Sequence, residues 1–338
     1  MQADNMYKVS VIVLIYKVEK YIERCARSLF CQTMQDIEYI FVNDCTPDHS
    51  IQVLQSVIDE YPQRKSDIKI ISHEKNMGSG AARNTGLEAA GGEYVIYCDG
   101  DDWVDPDMYE TLYVKAREDN ADIVMCDYYE ERPGKRIRCS QNPFKHKGDV
   151  VEQMLIGKLH SCVWGALVRK GLYEDNHIQF PVEVSMWEDL CTSVRLHCFA
   201  RRVSYVGEAF YHYVQYNVGS LVHTVSLRSV NDRICVCDVM MDFFEKQELY
   251  KKYIVPINCV MLRAKMDFIF CDSLRDFNQW RNVFPVSNKF IWKVPFPFRV
   301  KLVLKAVEKR NDYLALMYID LKSRCLSLRN GRVINNEK

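Results

Sequence analysis

Tyr94-Val95-Ile96-Tyr97-Cys98-Asp99-Gly100-Asp101-Asp102-Trp103-Val104-Asp105 is the stretch on which the reading of this chain turns. Val95, Ile96 and Tyr97 make a β-branched and aromatic run, the mark of a buried strand. The run stops at Asp99-Gly100-Asp101-Asp102, three carboxylates within four residues and no cation close by in sequence. Carboxylates so placed repel one another unless something shares them. Hard cations take oxygen ligands, and Mg2+ or Mn2+ ordinarily uses one or two carboxylates together with substrate phosphates. A plainer reading is an acidic turn into a helix, with Asp105 as N-cap and Pro106 at the first helical position.

Working outward, Lys8–Tyr16 is a near-continuous apolar run, as a central parallel strand covered on both faces would be. Ile22, Cys25, Ala26, Leu29 and Phe30 then recur at helical spacing. Ile37–Val42 is a second strand, ending at Asn43-Asp44, and Thr46-Pro47 resembles the start of a helix. Ile68–Ser72 is a third strand, and Gly78-Ser79-Gly80 opens a helix that runs to Ala90. Strands and helices alternating at this spacing predict an α/β fold with a doubly wound, mostly parallel sheet. Ligands of such sheets sit beyond the carboxyl ends of the strands. Tyr16, Asp44, the Asn76–Gly80 loop and Asp99–Asp102 should therefore face one crevice, suited to a nucleotide diphosphate and a metal. Downstream, Pro106–Arg117 reads as helix, Ile123–Cys126 as strand and Glu131–Lys135 as a hairpin turn. Gly148–Cys198 reads as mostly helical with an extended break at Phe180–Ser185, and Val203–Tyr213 as strand. Beyond about Ser226 the pattern is helical. We expect a catalytic domain over 1–225 and a helical, basic region over 226–338.

The chain has 338 residues, 48% hydrophobic and 27% charged, a soluble globular composition. Its zero net charge hides an asymmetry. From Lys251 to Lys338 there are 18 basic and 7 acidic residues, against 27 and 38 in the preceding 250. A basic tail on an acidic body points to a polyanionic partner or an anionic membrane surface, or else to an ordinary solvated helical face. Phe290, Trp292, Phe296 and Phe298 alternate with Lys289, Lys293, Arg299 and Lys301 there, which suits a membrane interface. The start is polar, with no apolar signal region, and no run of ~18 apolar residues occurs. The 14 cysteines include no Cys-x-x-Cys, and Cys235-x-Cys237 is too tight for a usual zinc site. We expect reduced thiols in a cytoplasmic protein, peripheral at the inner face of the plasma membrane if it touches lipid, with no nucleic-acid partner.

These motifs, taken in order, resemble the family 2 glycosyltransferases of the GT-A fold. Ser10–Tyr16 is similar to the family's opening strand, Val42-Asn43-Asp44 to its uracil-binding strand end, and Asn76-Met77-Gly78 with Ala82–Gly86 to its loop and helix start. Asp99-Gly100-Asp101 resembles its Asp-x-Asp metal motif, and Pro181–Leu190 the segment with the catalytic base. The chain departs from the pattern at Leu14 (usually Pro), Lys17 (usually Asn), Cys45-Thr46 (usually Gly-Ser) and Val214 (commonly Arg). The resemblance implies an inverting transferase that moves a sugar, from a UDP-hexose or UDP-N-acetylhexosamine, to a glycan or lipid-linked glycan in cell-surface polysaccharide synthesis. It implies Mn2+ or Mg2+ on Asp101 and Asp99, with His223 completing the shell or touching phosphate when its loop closes. Leu14, Tyr16, Glu19, Asp44, Arg83 and Asp99 would hold the nucleotide sugar, and Trp187 would stack on the acceptor. Asp189 would be the general base, with neighbouring Glu188 holding an acceptor hydroxyl or capping the helix. Each has a plainer alternative: Asp44 as a helix cap, Arg83 as an exposed first-turn cation, Trp187 as core, His223 as structural. The rival functions are a sugar nucleotidyltransferase, which should carry a Gly-rich loop where Lys17-Val18-Glu19 stands, and a non-catalytic nucleotide or glycan binder.

Overall fold

The computed structural model describes residues 7–145, 148–217 and 225–319. By its internal contacts the chain divides into two compact units, Met1–Thr224 and Val225–Lys338.

The first unit is built on β1 (Tyr7–Ile15), β2 (Ile37–Asn43), β3 (Ile68–Ser72) and β4 (Gly92–Asp99). All four run parallel, in the spatial order β3-β2-β1-β4. Val9, Val11, Ile12, Val13 and Ile15 are fully buried, as a strand covered on both faces requires. The helices α1 (Ile22–Phe30), α2 (Ser50–Asp59) and α3 (Ser79–Ala89) make the crossovers. α1 buries Ile22, Cys25, Ala26, Leu29 and Phe30, one stripe of a 3.6-residue period. The chain steps outward from β1 to β2 and β3, then returns to β4 on the other side of β1. Strand order reverses between β1 and β4, and the crevice beyond the strand ends at such a point is the general ligand site of open α/β sheets. The acidic turn follows directly from β4.

Past β4 the sheet is mixed. β5 (Trp103–Val104), α4 (Met108–Asp119), β6 (Ile123–Arg132), β7 (Lys135–Cys139), α5 (Val150–Leu155), β8 (Ala166–Arg169), α6 (Lys170–Asp175), α7 (Glu188–Phe199) and β9 (Val203–Val214) follow in the chain. β8 lies between β4 and β6 and is antiparallel to both, while β9 runs parallel to β6.

Three sequence expectations need correction. Gly148–Cys198 is not mostly helical: helix is confined to α5, α6 and α7, and β8, four residues too short to show a period, lies among them. α2 starts at Ser50, not at Pro47, because Thr46 spends its hydroxyl elsewhere: it accepts from Lys17 N–H and donates to Asp48. α4 starts at Met108, because Trp103-Val104 first pairs with β9 and the chain must turn before it can coil. No disulfide joins the described residues; Cys25, Cys98 and Cys126 are buried, whereas Cys31 and Cys45 are exposed.

The second unit is helical. α8 (Leu227–Lys246) begins with a capping box in which Ser226 and Ser229 each serve the other's backbone N–H. It packs against α9 (Tyr250–Ala264). α9 kinks at Tyr253, three residues before Pro256, whose ring clashes with the preceding turn. α10 (Asp267–Phe270), α11 (Phe277–Asn282) and α12 (Phe298–Glu308) follow, and residues 312–319 are again helical. Lys265 is fully buried, with Nζ donating to the Val283 and Phe284 carbonyls and to Asn288 Oδ1. Burial pulls its pKa down to about 7.

Candidate active site

The three acidic side chains after β4 have three different surroundings. Leu14 of β1 is in register with Asp99, and Gly100 lies so close that a Cβ there would stand 2.5 Å from the Leu14 carbonyl oxygen. Only glycine lets the turn press against β1 at this point. Asp102 is buried and ties the turn to β9: its carboxylate accepts from Tyr211 Oη at 2.6 Å and Val214 N at 2.7 Å. The Tyr211 oxygen in turn accepts from Asp99 N–H at 3.0 Å, with the Trp164 ring stacked on its face. Burial, then Asp101 and Asp99, holds the Asp102 carboxyl well above the usual range. Asp101 accepts from Asn217 Nδ2 at 2.8 Å, and burial together with Asp99 raises it too.

Asp99 faces α3. Arg83 is buried in that helix, with one nitrogen 3.3 Å from Asp99 Oδ1 and the other 2.6 Å from Glu188 Oε1. One guanidinium thus joins the carboxyl end of β4 to the start of α7. Ser79 Oγ donates to the same Glu188 oxygen at 2.7 Å. α3 holds the approach to α7 as well. Asn84 makes a two-way pair with the Phe180 backbone at 2.8 and 2.9 Å, and Gly80 lies against the Pro181 carbonyl, 2.0 Å from where a Cβ would be. Trp187 is left-handed at φ +68° immediately before Glu188. Such backbone in a bulky residue persists only when its surroundings fix it, and it collects at functional sites.

Asp189 is the second residue of α7, partly buried, with Oδ1 accepting from Leu190 N at 2.7 Å. Burial and the charge of Glu188 push it up to about 7, with Arg83 pulling the other way. A carboxylate in that range is matched to accepting a proton near neutral pH.

Across the crevice, Asp44 follows β2. Its carboxylate accepts from Met77 N and Gly78 N at 2.7 and 2.8 Å, and from His73 Nδ1 at 2.8 Å. His73 is steadied by Thr85 on its other nitrogen. Asp44 therefore closes the loop into α3 while keeping one of a carboxylate's four acceptor positions. Tyr16 is 41% exposed just past β1, with the Lys17 ammonium 5.1 Å above its ring. Lys17 and Cys45, after β1 and β2, are both left-handed, and Lys17 N–H bonds Thr46, so the two strand ends turn together. Glu19 is exposed and accepts from His49 N at 3.2 Å.

The family model for glycosyl transferase family 2 matches residues 10–174. The putative glycosyltransferase EpsH of Bacillus subtilis is 31% identical over 285 residues, covering 81% of this chain and 77% of that one. The chain belongs to glycosyl transferase family 2. It is a glycosyltransferase. The cholesterol galactosyltransferase of Borreliella burgdorferi is 31% identical over 74% of this chain and 73% of its own. A crystal structure of S. aureus TarS 1–349 in complex with UDP-GlcNAc superposes with a TM-score of 0.70, covering 94% of this chain and 92% of that one at 20% identity. That likeness gives the fold, which is GT-A.

In this glycosyltransferase Arg83, Asp99, Glu188 and Asp189 meet, and Asp44 holds the loop that leads into α3, through Met77 N, Gly78 N and His73. Arg83 is buried between two carboxylates rather than an exposed first-turn cation. His223 lies outside the described residues. Ser79, Asn84, Tyr211 and Asn217 were missed by sequence reasoning; Asn84 stands within the loop-and-helix motif and Ser79 between its two parts, but nothing local says what they reach. Among the described residues no three His, Cys, Asp or Glu side chains form a ready metal cage. The donor set nonetheless fits a hard divalent ion that shares its ligands with a substrate. Asp99 and Asp101 offer oxygens only, and their mutual repulsion at a partly buried site is what such an ion relieves.

Proposed function

We propose that this glycosyltransferase is inverting, that its donor is a UDP-hexose or UDP-N-acetylhexosamine, and that its acceptor is a glycan, free or lipid-linked, in cell-surface polysaccharide synthesis. Residues 1–225 are its catalytic domain. The observation that carries the reading is the Arg83 bridge: it joins the end of the acidic motif, Asp99, to the residue beside Asp189. The binding of UDP-GlcNAc by TarS supports the donor class.

Asp189 takes the proton of the acceptor hydroxyl as its oxygen attacks the anomeric carbon from the face opposite the diphosphate. The glycosidic carbon–oxygen bond breaks, its electron pair leaves on the diphosphate, and configuration inverts without a covalent intermediate. Glu188 is buried and engaged by Arg83 and Ser79, so it positions the base rather than replacing it. Asp44, Tyr16, Leu14 and Glu19 border the nucleoside end, and Trp187 borders the acceptor. Asp99 and Asp101 would hold Mn2+ or Mg2+, which when bound supplies positive charge to the departing diphosphate.

Asp189→Asn tests this. UDP affinity, measured by calorimetry with Mn2+, should stay within about threefold, while UDP release with acceptor falls ~10²–10⁴-fold. Unchanged turnover would refute the base assignment, and equal UDP affinity with Mn2+ or EDTA would remove the metal.

A further inference from the structure

From Phe277 to Val307 the chain has six cations and no acidic residue. Arg281 is paired with Asp312 and Lys305 with Glu308. Lys289, Lys293 and Arg299 are exposed. Apolar surface is exposed among them: Val286 is 54% accessible, Trp292 49% and Phe298 67%. The Trp292 and Phe298 rings lie 6.0 Å apart, and Lys301 Nζ donates to the Trp292 carbonyl at 3.2 Å. These side chains are presented outward by a fixed backbone. Ile291 and Val294 are buried on either side of Trp292-Lys293, and Pro295 and Pro297 stiffen the run into α12.

Exposed Trp and Phe side by side lose by facing water. They gain at a membrane–water boundary, where an aromatic ring has an apolar side and a wet side. No described helix is long and apolar enough to cross a membrane, so any seat is on the surface. We propose that this turn is a peripheral anchor that sets Trp292 and Phe298 among the headgroups of an anionic bilayer, with Lys289, Lys293, Arg299 and Lys301 against lipid phosphates. The acid-free sequence complements such a surface. A soluble polyanion would use the cations but leave the aromatic pair unexplained. Each Lys or Arg near an anionic leaflet raises partition about fivefold, so three exposed ones supply roughly 100-fold.

The test uses the full chain and vesicles of phosphatidylcholine with and without an equal share of phosphatidylglycerol. The protein should sediment with anionic vesicles in about 0.1 M salt, not with neutral ones, and release in about 0.5 M salt. K289Q/K293Q/R299Q should weaken binding at least 20-fold. W292S/F298S should weaken it while keeping its salt dependence. All five positions are exposed, so unchanged thermal unfolding is expected of both variants. Brominated lipid should quench tryptophan emission in the wild type and not in W292F. Equal binding to both vesicle types, or undiminished binding by the triple variant, overturns the proposal. So does tight binding of polyphosphate with no quenching by brominated lipid, which assigns the patch to a soluble polyanion.

Discussion

Gly80→Ala asks whether α3 sets the position of the proposed base. A Cβ at residue 80 would stand 2.0 Å from the Pro181 carbonyl oxygen and 3.1 Å from its carbon. Relaxed carbon–oxygen contacts begin near ~3.3 Å, so more than ~1 Å must open between helix and loop. Both sides are backbone, and no side chain can swing away. Asn84 grips Phe180 from the same helix, so the displacement is passed along the loop towards Glu188 and Asp189. Overpacking of this kind costs ~1–3 kcal/mol, and alanine returns up to ~1 kcal/mol as a better helix former. The net is about 0–2 kcal/mol, or at most ~8 °C of Tm for a unit this large. Catalysis is far less forgiving, since a reacting group misplaced by ~1 Å can lose ~10²-fold. The expected result is therefore a split: kcat down about 100-fold in a protein that still folds. Initial rates of UDP release, with the best donor from a panel of UDP-hexoses and UDP-N-acetylhexosamines, read the first quantity, and scanning calorimetry the second. A variant with kcat within threefold of wild type would show that the contact between Gly80 and Pro181 does not position the base.

The acid limb of kcat/KM should have its midpoint near 7, the range to which burial and Glu188 push Asp189, and Glu188→Gln should move it down by removing the adjacent charge; a wild-type limb near 4 would exclude Asp189 as the base. The same shift has a sign for stability: folded Asp189 holds its proton more tightly than the unfolded chain, so its contribution falls as pH rises from about 4 to about 7, and Asp189→Asn should raise Tm at pH 8. Lys265 works oppositely in the second unit. Its folded pKa is lowered to about 7, so the unfolded chain binds the extra proton and stability rises with pH above 7, by roughly 2–3 kcal/mol between pH 7 and 9; Lys265→Met should flatten that slope in denaturant titrations, and an unchanged slope would mean the ammonium stays charged in the fold.

The parallel half of the sheet was legible because its signals are redundant. β1 is apolar over most of its length, and α1 repeats its stripe over two and a half turns, so neither depends on one residue. β8 carried no such redundancy: Ala-Leu-Val-Arg fits a strand, a helix end or a loop, and only its two neighbours make it a strand. The start of α2 was misread for a different reason. Thr46-Pro47 is a sound helix opening by itself, but Thr46 bonds Lys17, 29 residues earlier, and no local rule sees that. At the site the residue types were readable from motif order, while their pairings were not. Arg83 as an exposed cation and Arg83 as a buried bridge have the same sequence.

Five carboxylates, Asp99, Asp101, Asp102, Glu188 and Asp189, gather between the end of β4 and the start of α7, and Arg83 is buried between two of them. Folding alone does not call for that arrangement, because an uncompensated buried acid costs stability. Two of the five have structural partners that account for them: Asp102 fastens β9, and Glu188 anchors Arg83. Asp99, Asp101 and Asp189 remain less fully engaged, and burial raises both Asp101 and Asp189. Where local rules are broken at a point with no compensating gain in packing, the compensation is to be sought in a ligand. The breach here lies where the strand order reverses, the position at which an open α/β sheet receives its ligand. On the proposed reading, a cation-bearing donor would answer Asp99 and Asp101 and an acceptor hydroxyl would answer Asp189, so one acidic cluster would serve two chemical roles.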